Sequence, residues 1–406
     1  MVQRRIPRPG ELAEILRPRP FARNPVDRRL SRAHTIDDLR RIGRRRTPRA
    51  VFDYVDGAAE SEASLRRARE AFQRVEFHPN ALHGAADVDL GVTVLGERIA
   101  LPFAFAPTGF TGMIHHEGER AVARVAERNG IPYTLSTMGN TSVEEVAAAS
   151  PGARKWFQLY VMRDRGKSAE LMRAAWQAGY DTLILTVDTP VAGARLRDRR
   201  HGLTLPPTLS LRTFVDGAAH PAWWFNLLTT GPLEFAAVGQ WRGTKAELVN
   251  MLFDPNLGLS DLERIRDGWP GKLVVKGILN PDDARDVVKA GAEAVVLSSH
   301  GGRQLDRAPV PLELLRTSLD AVAGDAEVWL DTGILSGGDI VAAMAMGADL
   351  CLVGRAHLYG LMAGGQRGVQ RAVDILRGDI VRTMQFLGVH SFAGLKPSHA
   401  DFRPKE

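Results

Sequence analysis

Eight short apolar runs recur along the chain from about residue 100, and this repeat restricts the fold more than any other feature. Each run ends near a turn with Gly, Pro, Ser or Thr, and stretches with the apolar spacing of a helix lie between several of them. Strands that alternate with helices predict an α/β protein, and eight units favour a (β/α)8 barrel over a doubly wound open sheet. The predicted strands are residues 102–106, 132–136, 156–160, 183–187, 273–276, 294–297, 328–330 and 350–353, and the predicted helices are 117–129, 166–178, 281–290, 312–323 and 337–346.

Further regions accompany the predicted barrel of residues 101–395. Residues 1–100 are expected to form a helical extension that covers it, and residues 396–406 a C-terminal tail. The connection after the fourth strand is far longer than an ordinary βα loop, so we expect an insertion at residues 200–260 over the mouth of the barrel. The insertion contains Trp223, Trp224, Phe225, Phe235 and Trp241, which suit either the packed core of a lid or a bilayer interface.

Composition and charge narrow the class of protein. The chain has 44% hydrophobic residues, 25% charged residues and one cysteine, which is typical of a globular cytoplasmic protein without an internal disulfide. Residues 1–50 hold fifteen arginines against five acidic residues, whereas the whole chain has a net charge of +6. This basic arm either wraps the domain, mediates subunit contacts or attracts an anionic lipid surface. Nucleic acid is not an expected partner, because no reader motif accompanies the arginines.

Polar side chains stand at the ends of the predicted strands, where a filled barrel core would have apolar ones. The carboxyl ends of barrel strands meet at one mouth, and catalytic groups lie on the loops that follow them. We therefore expect these residues to converge on a single site. They are Pro107, Thr108 and Gly109 after strand one, Ser136, Gln158 and Tyr160 on strands two and three, Thr186, Asp188 and Arg195 at and beyond strand four, Lys276 on strand five, Ser298 and His300 after strand six, Asp331 after strand seven, and Gly354 and Arg355 after strand eight.

His300 and Arg303 carry the most specific chemistry in this set. An imidazole, whose ordinary pKa is about 6.5, can accept a proton near neutral pH. A guanidinium can bind a carboxylate through two parallel hydrogen bonds. Side by side at the carboxyl end of a strand, the two groups can hold a small acid and remove a proton from the carbon or hydroxyl beside its carboxylate.

The loops after strands seven and eight indicate a phosphate. Residues 331–338 combine several glycines with the start of a helix, and Gly354 and Arg355 follow the last strand. Backbone N–H groups of these two loops form the common phosphate site of such barrels. Because Lys276 is expected to face the mouth, the pattern predicts a phosphorylated cofactor with an electron-accepting ring. The glycine-rich loop alone would equally suit a phosphorylated substrate.

The motif Ser-x-His-Gly-x-Arg-Gln-Leu-Asp at residues 298–306 resembles the FMN-dependent α-hydroxy acid dehydrogenase and oxidase family, and the resemblance extends over roughly residues 30–395. Within that family, residues 303–311 and 355–364 are most similar to the actinobacterial quinone-linked L-lactate dehydrogenases. The resemblance implies an FMN enzyme that oxidises an L-2-hydroxy acid, L-lactate to pyruvate first of all, and passes electrons to a quinone or another acceptor. It also implies a homo-oligomer, a tetramer or octamer, in the cytoplasm, with attachment to the inner face of the cell membrane left open.

The resemblance also implies a role for each site residue. His300 would be the base and Asp188 its carboxylate partner. Arg303 and Tyr54 would bind the substrate carboxylate, with Tyr160 and Arg195 beside them. The cofactor would be held by Pro107, Thr108, Gly109, Ser136, Gln158 and Thr186 at the flavin ring, by Lys276 at its N1/C2 edge, by Asp331 at the ribityl chain, by Gly333, Gly354 and Arg355 at the phosphate, and by contacts from Ser298, Thr332 and Leu335; no metal ligand is expected.

Four departures from the family lie in the expected site, and two of them are Ser299, where many members have asparagine, and Gly109, where others have alanine. Leu335 stands where many members have an arginine that supports the cofactor phosphate. Met138 occupies a position that is often aromatic, so the pocket for the substrate side chain is expected to differ.

Other functions remain open from the sequence. An oxygen-dependent 2-hydroxy acid oxidase or a mandelate-type dehydrogenase would use the same site, and the preferred substrate and acceptor would separate them. A non-redox flavin barrel isomerase would keep the phosphate loop without needing His300 beside Arg303. A barrel that resembles IMP dehydrogenase would need a nucleophilic cysteine, and Cys351 lies within a predicted strand. A membrane or scaffold protein without catalysis would not need the polar mouth.

Overall fold

The eight predicted strands form a closed parallel barrel in the computed structural model, which describes residues 5, 8, 10–12, 24–200, 211–231, 233, 235–236 and 254–403. Each strand pairs with the next along the chain, and the last pairs with the first. The predicted (β/α)8 barrel is therefore confirmed, and the strand bounds differ from those predicted by one or two residues. The barrel strands are β4 (Phe103–Phe105), β5 (Tyr133–Ser136), β6 (Lys155–Leu159), β7 (Thr182–Thr186), β8 (Lys272–Ile278), β9 (Ala294–Leu297), β10 (Glu327–Leu330) and β11 (Leu350–Val353).

Helices follow the strands and pack around the barrel. Their starts carry the expected capping groups: Asn280 accepts a hydrogen bond from the backbone of Asp282, and Ser336 forms a reciprocal capping box with Asp339. The five predicted helices are present, and the structure adds others that the apolar spacing did not reveal. The helices after strands are α5 (Thr111–Ile114), α6 (Gly118–Arg128), α7 (Val143–Ala149), α8 (Arg165–Gln177), α9 (Leu196–Arg200), α10 (Leu211–Ala218), α11 (Pro221–Thr229), α12 (Leu259–Gly268), α13 (Pro281–Lys289), α14 (Pro311–Val322), α15 (Gly337–Ala345) and α16 (Arg355–Leu387).

The interior of the barrel is a packed core that is closed at its amino end. Trp156 and Trp329 stack inside it with their ring centroids 5.0 Å apart, and small or branched residues from the other strands fill the remaining space. A hairpin of β2 (Val92–Val94) and β3 (Glu97–Ile99) buries Val94 and Ile99 against the same cluster. Ligands can therefore reach polar groups only at the carboxyl end.

Residues 24–100 of the N-terminal extension contain four helices and three short strands. Residues 75–77, 92–94 and 97–99 form short strands that the prediction of a helical extension did not include. β1 (Val75–Phe77) pairs antiparallel with β12 (Ala400–Phe402), so the C-terminal segment 400–402 is held against the extension. The four helices are α1 (Pro25–Leu30), α2 (Ile36–Arg46), α3 (Arg49–Asp56) and α4 (Ala63–Gln73).

The long connection after β7 buries some of its aromatic and apolar side chains and exposes others. Trp223 donates from Nε1 to the Met113 carbonyl at 3.0 Å, and Phe235 is buried against Phe110. In contrast, Phe225 and Leu228 are 68% and 74% exposed. The lid and surface interpretations of the aromatic cluster thus apply to different residues, and Trp241 lies outside the described residues.

Candidate active site

A cavity of about 420 Å³ opens at the carboxyl end of the barrel, between the strand ends and the N-terminal extension. It collects side chains from α3, from the loops after the barrel strands and from the turn that follows β9. All but four of the predicted site residues line it, so sequence positions about three hundred residues apart meet at one surface. The predicted residues that line it are Tyr54, Pro107, Thr108, Gly109, Ser136, Tyr160, Arg195, Lys276, His300, Arg303, Asp331, Thr332, Gly333, Leu335, Gly354 and Arg355.

The other four predicted residues stand behind the cavity wall. Asp188 contacts His300, and Ser298 contacts both Lys276 and Asp331. Gln158 and Thr186 are 1% and 3% exposed. Gln158 Nε2 and Thr186 Oγ1 have no hydrogen-bond partner in the part of the chain that the structure describes. Buried polar atoms without partners are costly, so a ligand that supplies hydrogen-bonding groups here would stabilise them.

His300 is held so that one ring nitrogen is directed into the cavity. Its Nδ1 lies 3.0 Å from Asp188 Oδ1, and its Nε2 lies 3.5 Å from Tyr160 Oη. Its backbone has a φ of 57°, and its N–H donates to Ser298 Oγ at 2.9 Å. An unusual backbone conformation fixed in this way is typical of functional turns. With Nδ1–H donated to Asp188, Nε2 can accept a proton, and the carboxylate stabilises the resulting cation.

The glycine at position 277 leaves the space that Asp188 occupies, because the backbone of β8 passes close to Asp188. Gly277 interrupts β8 with a φ of 107°, and a Cβ at this position would lie 2.7 Å from Asp188 Cβ. A side chain at residue 277 would therefore push Asp188 away from the imidazole. The sequence did not single out this glycine, although a lone glycine inside an apolar strand is the kind of signal that marks such an approach.

Two guanidinium groups flank the ring of Tyr54 at one end of the cavity. The Arg303 and Arg195 guanidinium carbons lie 4.9 Å and 5.7 Å from the centroid of that ring. Burial and the nearby Arg195 lower the pKa of Arg303 to about 10, which still leaves it charged at neutral pH. Burial and Asp188 raise the pKa of Tyr160 above its ordinary value, so it remains a hydroxyl. Two cations and hydroxyl donors in a confined space suit a carboxylate.

Lys276 forms a buried network with Ser298 and Asp331. Its Nζ lies 2.9 Å from both Ser298 Oγ and Asp331 Oδ2, and Ser298 donates to the same carboxylate oxygen at 2.8 Å. Burial alone would lower the pKa of Lys276, but the Asp331 carboxylate raises it. The lysine counteracts the effect of burial on Asp331 and lowers the pKa of that carboxyl. The pair therefore presents a charged ammonium to the floor of the cavity at neutral pH.

The glycine-rich loop between β10 and α15 closes the other end of the cavity. Thr332 and Gly333 have φ values of 80° and 93°, and a Cβ at Gly333 would lie 3.1 Å from the Ala68 carbonyl of α4. Gly354 begins α16 without a side-chain cap, so backbone N–H groups of its first turn can meet an anion. These features leave room and backbone N–H donors for an anion, and the phosphate that the sequence predicts here stays a prediction.

Arg355 makes contacts that the sequence did not suggest. Its Nε, Nη1 and Nη2 donate to the carbonyls of Val55, Gly301 and Gly57 at 2.9, 2.9 and 2.8 Å. The side chain thus lines the cavity while it ties the end of α3 to the His300 turn. Its expected contact with a phosphate stays a prediction.

Comparison with known proteins identifies the family. The model of the "FMN-dependent dehydrogenase" family matches residues 43–402. The chain belongs to the FMN-dependent dehydrogenase family. The cavity fits this cofactor for two reasons. The buried polar atoms of Gln158 and Thr186, which have no partner among the described residues, lie where a flavin ring can bind. The glycine-rich loop lies at the other end of the cavity. The sequence-based predictions of the family, of FMN and of a dehydrogenase are confirmed.

Individual relatives of this FMN-dependent dehydrogenase are similar over nearly their whole length. A Mycobacterium tuberculosis protein provisionally named L-lactate dehydrogenase is 54% identical over 98% of this chain and 96% of its own. An L-lactate dehydrogenase of Allorhizobium ampelinum is 41% identical, with 89% and 96% of the two chains covered. The crystal structure of the monotopic membrane protein (S)-mandelate dehydrogenase superposes with a TM-score of 0.88 at 36% identity, over 92% of this chain and 100% of that one.

Sequence reasoning missed several residues that organise the site. Gln304 donates from Nε2 to the carbonyls of Asp188 and Val191, both at 3.2 Å, and so fixes the loop that carries Asp188. His357 donates or accepts at 3.4 Å from Thr108, and burial lowers its pKa to about 4. Arg69 of α4 also lines the cavity. Gln304 is part of the recognised motif, whereas His357 and Arg69 follow no local pattern that distinguishes them from surface or core residues.

Proposed function

We propose that this enzyme oxidises an L-2-hydroxy acid, L-lactate to pyruvate in the first place. The observation that supports this most is the joint position of His300, Arg303 and Tyr160 around one cavity, with Asp188 behind the imidazole. Oxidation of a 2-hydroxy acid removes two electrons and two protons, and a site for it needs an anion clamp and a proton acceptor on the same substrate. FMN, when bound, would accept the two electrons and one of the two protons, and the other proton goes to a base of the protein.

In the proposed complex, the substrate carboxylate binds between Arg303, Arg195 and Tyr54. The two guanidinium groups supply positive charge, and each lies against the ring of Tyr54. Tyr160 Oη donates to the substrate oxygen that acquires negative charge, because its raised pKa keeps it protonated. Bidentate binding fixes the orientation of the reacting carbon, which a single point charge would not do.

We propose that His300 Nε2 accepts one proton from the substrate. The contact of Nδ1 with Asp188 sets the tautomer and offsets the positive charge that the ring acquires. The same roles apply whether the proton leaves carbon or the hydroxyl oxygen. Gly277 and Gln304 act as positioning residues, since both fix the place of Asp188.

The remaining lining residues would hold FMN. Lys276 would place its ammonium at the N1/C2 edge of the ring, where it stabilises negative charge on the reduced flavin. Asp331, with Ser298 and Thr332 beside it, would bind the ribityl hydroxyls. The proposed ring contacts are Pro107, Thr108, Gly109, Ser136, Gln158 and Thr186, and the proposed phosphate end consists of Gly333, Leu335, Gly354 and Arg355.

We further propose a membrane quinone as electron acceptor, with the enzyme attached peripherally to the inner face of the cell membrane. Phe225 and Leu228 are exposed three residues apart on α11, and Val215 on α10 is 62% exposed. In the described part of the chain, no helix is long and apolar enough to cross a bilayer. The monotopic mandelate dehydrogenase gives the same attachment a precedent in a similar structure. A tetramer or octamer is the proposed assembly, by resemblance to the family.

A mandelate-type substrate is the second candidate. The cavity wall near the substrate end includes Phe110, Met113, Met138 and Phe235, an apolar surface that can receive an aryl group. The similar structure of an (S)-mandelate dehydrogenase supports this alternative.

Anaerobic reduction of the bound flavin by a panel of chiral 2-hydroxy acids tests the proposal. L-lactate should bleach the flavin absorbance, whereas D-lactate should not. (S)-mandelate as the faster substrate would favour the second candidate. If no 2-hydroxy acid reduces the flavin, the proposed function is wrong. Oxygen and a quinone analogue, offered to the reduced enzyme in turn, separate an oxidase from a quinone-linked dehydrogenase.

A further inference from the structure

We propose that Arg69, on helix α4 of the N-terminal extension, binds the phosphate of FMN and is its principal cationic side-chain ligand. The inference rests on the phosphate position given in the proposed function, at the loops after β10 and β11. It adds a binding residue from outside the barrel. It also gives the extension a role in cofactor retention besides the contribution of Tyr54 to the substrate end.

Arg69 lies at the glycine-rich loop because α4 packs directly on it. The backbone and Phe72 side chain of α4 come so close to Gly333 that a Cβ there would lie 3.1 Å from both the Ala68 carbonyl and the Phe72 ring. From this helix, Arg69 Nη1 donates to the Gly333 carbonyl and lies 2.7 Å from Asp339 Oδ2. The side chain is 29% exposed and lines the cavity. It therefore reaches the phosphate end without leaving its present contacts.

The orientation of the guanidinium leaves one edge for a ligand. Both hydrogen bonds of Arg69 use Nη1, and within the described residues its Nε and Nη2 have no acceptor. Those two nitrogens form the edge that typically binds two oxygens of a phosphate. The surroundings thus hold the group in place while a bidentate donor pair stays available.

Three other cations of the cavity already have partners in the protein. All three guanidinium nitrogens of Arg355 donate to main-chain carbonyls, and Lys276 is paired with Asp331. Arg303 lies against Tyr54 at the substrate end. Leu335, which stands where an arginine often supports the phosphate, has no charge to offer. Among the described residues that line the cavity, Arg69 is the cation at the glycine-rich loop with donors to spare.

The electrostatics of the loop require such a cation. The Asp339 carboxylate accepts hydrogen bonds from the backbone of Leu335 and Ser336 at 2.8 and 2.9 Å, and Asp379 lies 3.5 Å from the nitrogen of Gly337. Two carboxylates beside the loop would repel a phosphate group that carries nearly two negative charges. Arg69 neutralises Asp339 on one side and can attract the phosphate on the other.

Titration of the full-length protein with FMN and with riboflavin, which lacks the phosphate, tests the inference. After release of the bound flavin, each ligand is added back and flavin fluorescence is followed. The wild-type protein should prefer FMN. Arg69→Leu should lower the affinity for FMN by about 10- to 100-fold, the range of a charge-assisted hydrogen-bonded pair, and change riboflavin affinity less than about threefold. Arg67→Leu is the matched control, because Arg67 lies on the same helix and bonds to the Ala308 carbonyl.

A compensating variant makes the test specific for charge at the phosphate. Arg69→Leu combined with Leu335→Arg should regain most of the FMN preference. Equal losses for FMN and riboflavin, or no loss for either, would overturn the inference. Should Arg69→Leu fail to fold, Arg69→Gln is judged by the same criterion. If the wild-type protein bound FMN and riboflavin equally, the phosphate position in the proposed function would be wrong as well. If Arg69→Leu kept the wild-type preference for FMN, the role of Arg69 alone would be wrong.

Discussion

At the scale of single residues, the site depends on atoms that contact across large sequence distances. His300 and Arg303 could be predicted because they lie together in one short motif after an apolar strand. Asp188 was found by its place after another strand, and the structure puts it 3.0 Å from His300. Arg69 and His357 could not be found in this way, since an arginine on an amphipathic helix and a histidine at a helix start have no local mark of their partners.

Gly109 makes a prediction at this scale. A Cβ there would lie 2.6 Å from Met138 Cβ, in the wall beside the proposed flavin ring. Gly109→Ala should therefore force the loop after β5 to shift and lower the free energy of unfolding by about 1–3 kcal/mol. Urea unfolding followed by tryptophan fluorescence measures this change.

Substitutions at Met138, the residue that the new methyl group would contact, supply the control for Gly109→Ala. Met138→Ala keeps the Cβ and should not relieve the contact, whereas Met138→Gly should recover part of the loss in the double variant. A Gly109→Ala protein as stable as wild type would show that the wall accommodates the methyl group.

At the scale of elements, the barrel could be predicted and its additions could not. Each barrel strand is an apolar run bounded by turn residues, so local pattern was sufficient. β1 was missed because its partner β12 is more than three hundred residues away, and strand formation there depends on that pairing. α16 was missed because Gly364 and Gly365 interrupt its helical backbone and obscure a single 33-residue pattern.

The contact of Asp306 with the start of α4 leads to a prediction about pH. The N-cap residue of α4, Glu62, has left-handed backbone angles and its side chain does not cap the helix. Asp306 supplies a carboxylate in its place and accepts hydrogen bonds from the backbone of Ser61 and Ser64 at 3.0 and 2.8 Å. Although burial opposes it, the hydrogen bond from the Ser61 hydroxyl and that from the backbone of Ser64 lower the pKa of the Asp306 carboxyl. A carboxyl whose pKa is lower in the folded state stabilises that state above its unfolded value, near 3.9, and loses the effect as the pH falls.

Asp306→Asn should therefore be less stable than wild type by about 1–3 kcal/mol at pH 7. The difference in unfolding free energy should shrink as the pH falls below about 4. Denaturant unfolding between pH 7 and pH 3 measures it, and Asp320→Asn is the control because that carboxyl is 63% exposed and pairs with Arg316 along its own helix. A difference that stays constant over this range would contradict the role of the ionised group.

At the scale of the whole molecule, the sealed amino end and the open carboxyl end give the barrel one functional face. The connection after β7 belongs to that face: Phe235 and Arg195 line the cavity, while α10 and α11 expose apolar side chains. The sequence did not separate buried from exposed side chains here, because on the same helix Trp223 contacts the Met113 carbonyl while Phe225 and Leu228 are exposed. Burial of the exposed side chains in a bilayer would bring the active site close to a lipid-soluble acceptor.

Membrane attachment predicts an effect of Phe225→Ser combined with Leu228→Ser. Each large apolar side chain gains roughly 1.5–3 kcal/mol on leaving water, so the double variant should bind anionic vesicles at least about tenfold more weakly. Cosedimentation with the vesicles measures binding, and flavin reduction by substrate should be unchanged. Phe386→Ser is the matched control, since Phe386 is also 68% exposed but lies on α16. Equal sedimentation of all three proteins would exclude α11 as the contact.

Reduction of bound flavin by L-lactate in His300→Ala tests the central claim most directly. The variant should be purified with yellow flavin, because His300 is proposed to act on the substrate and the cofactor has its own contacts. Under anaerobic conditions, L-lactate should bleach the wild-type flavin rapidly and the variant at least 100-fold more slowly, as expected for loss of a general base. Bleaching at the wild-type rate in His300→Ala would contradict the assignment of the imidazole as the proton acceptor.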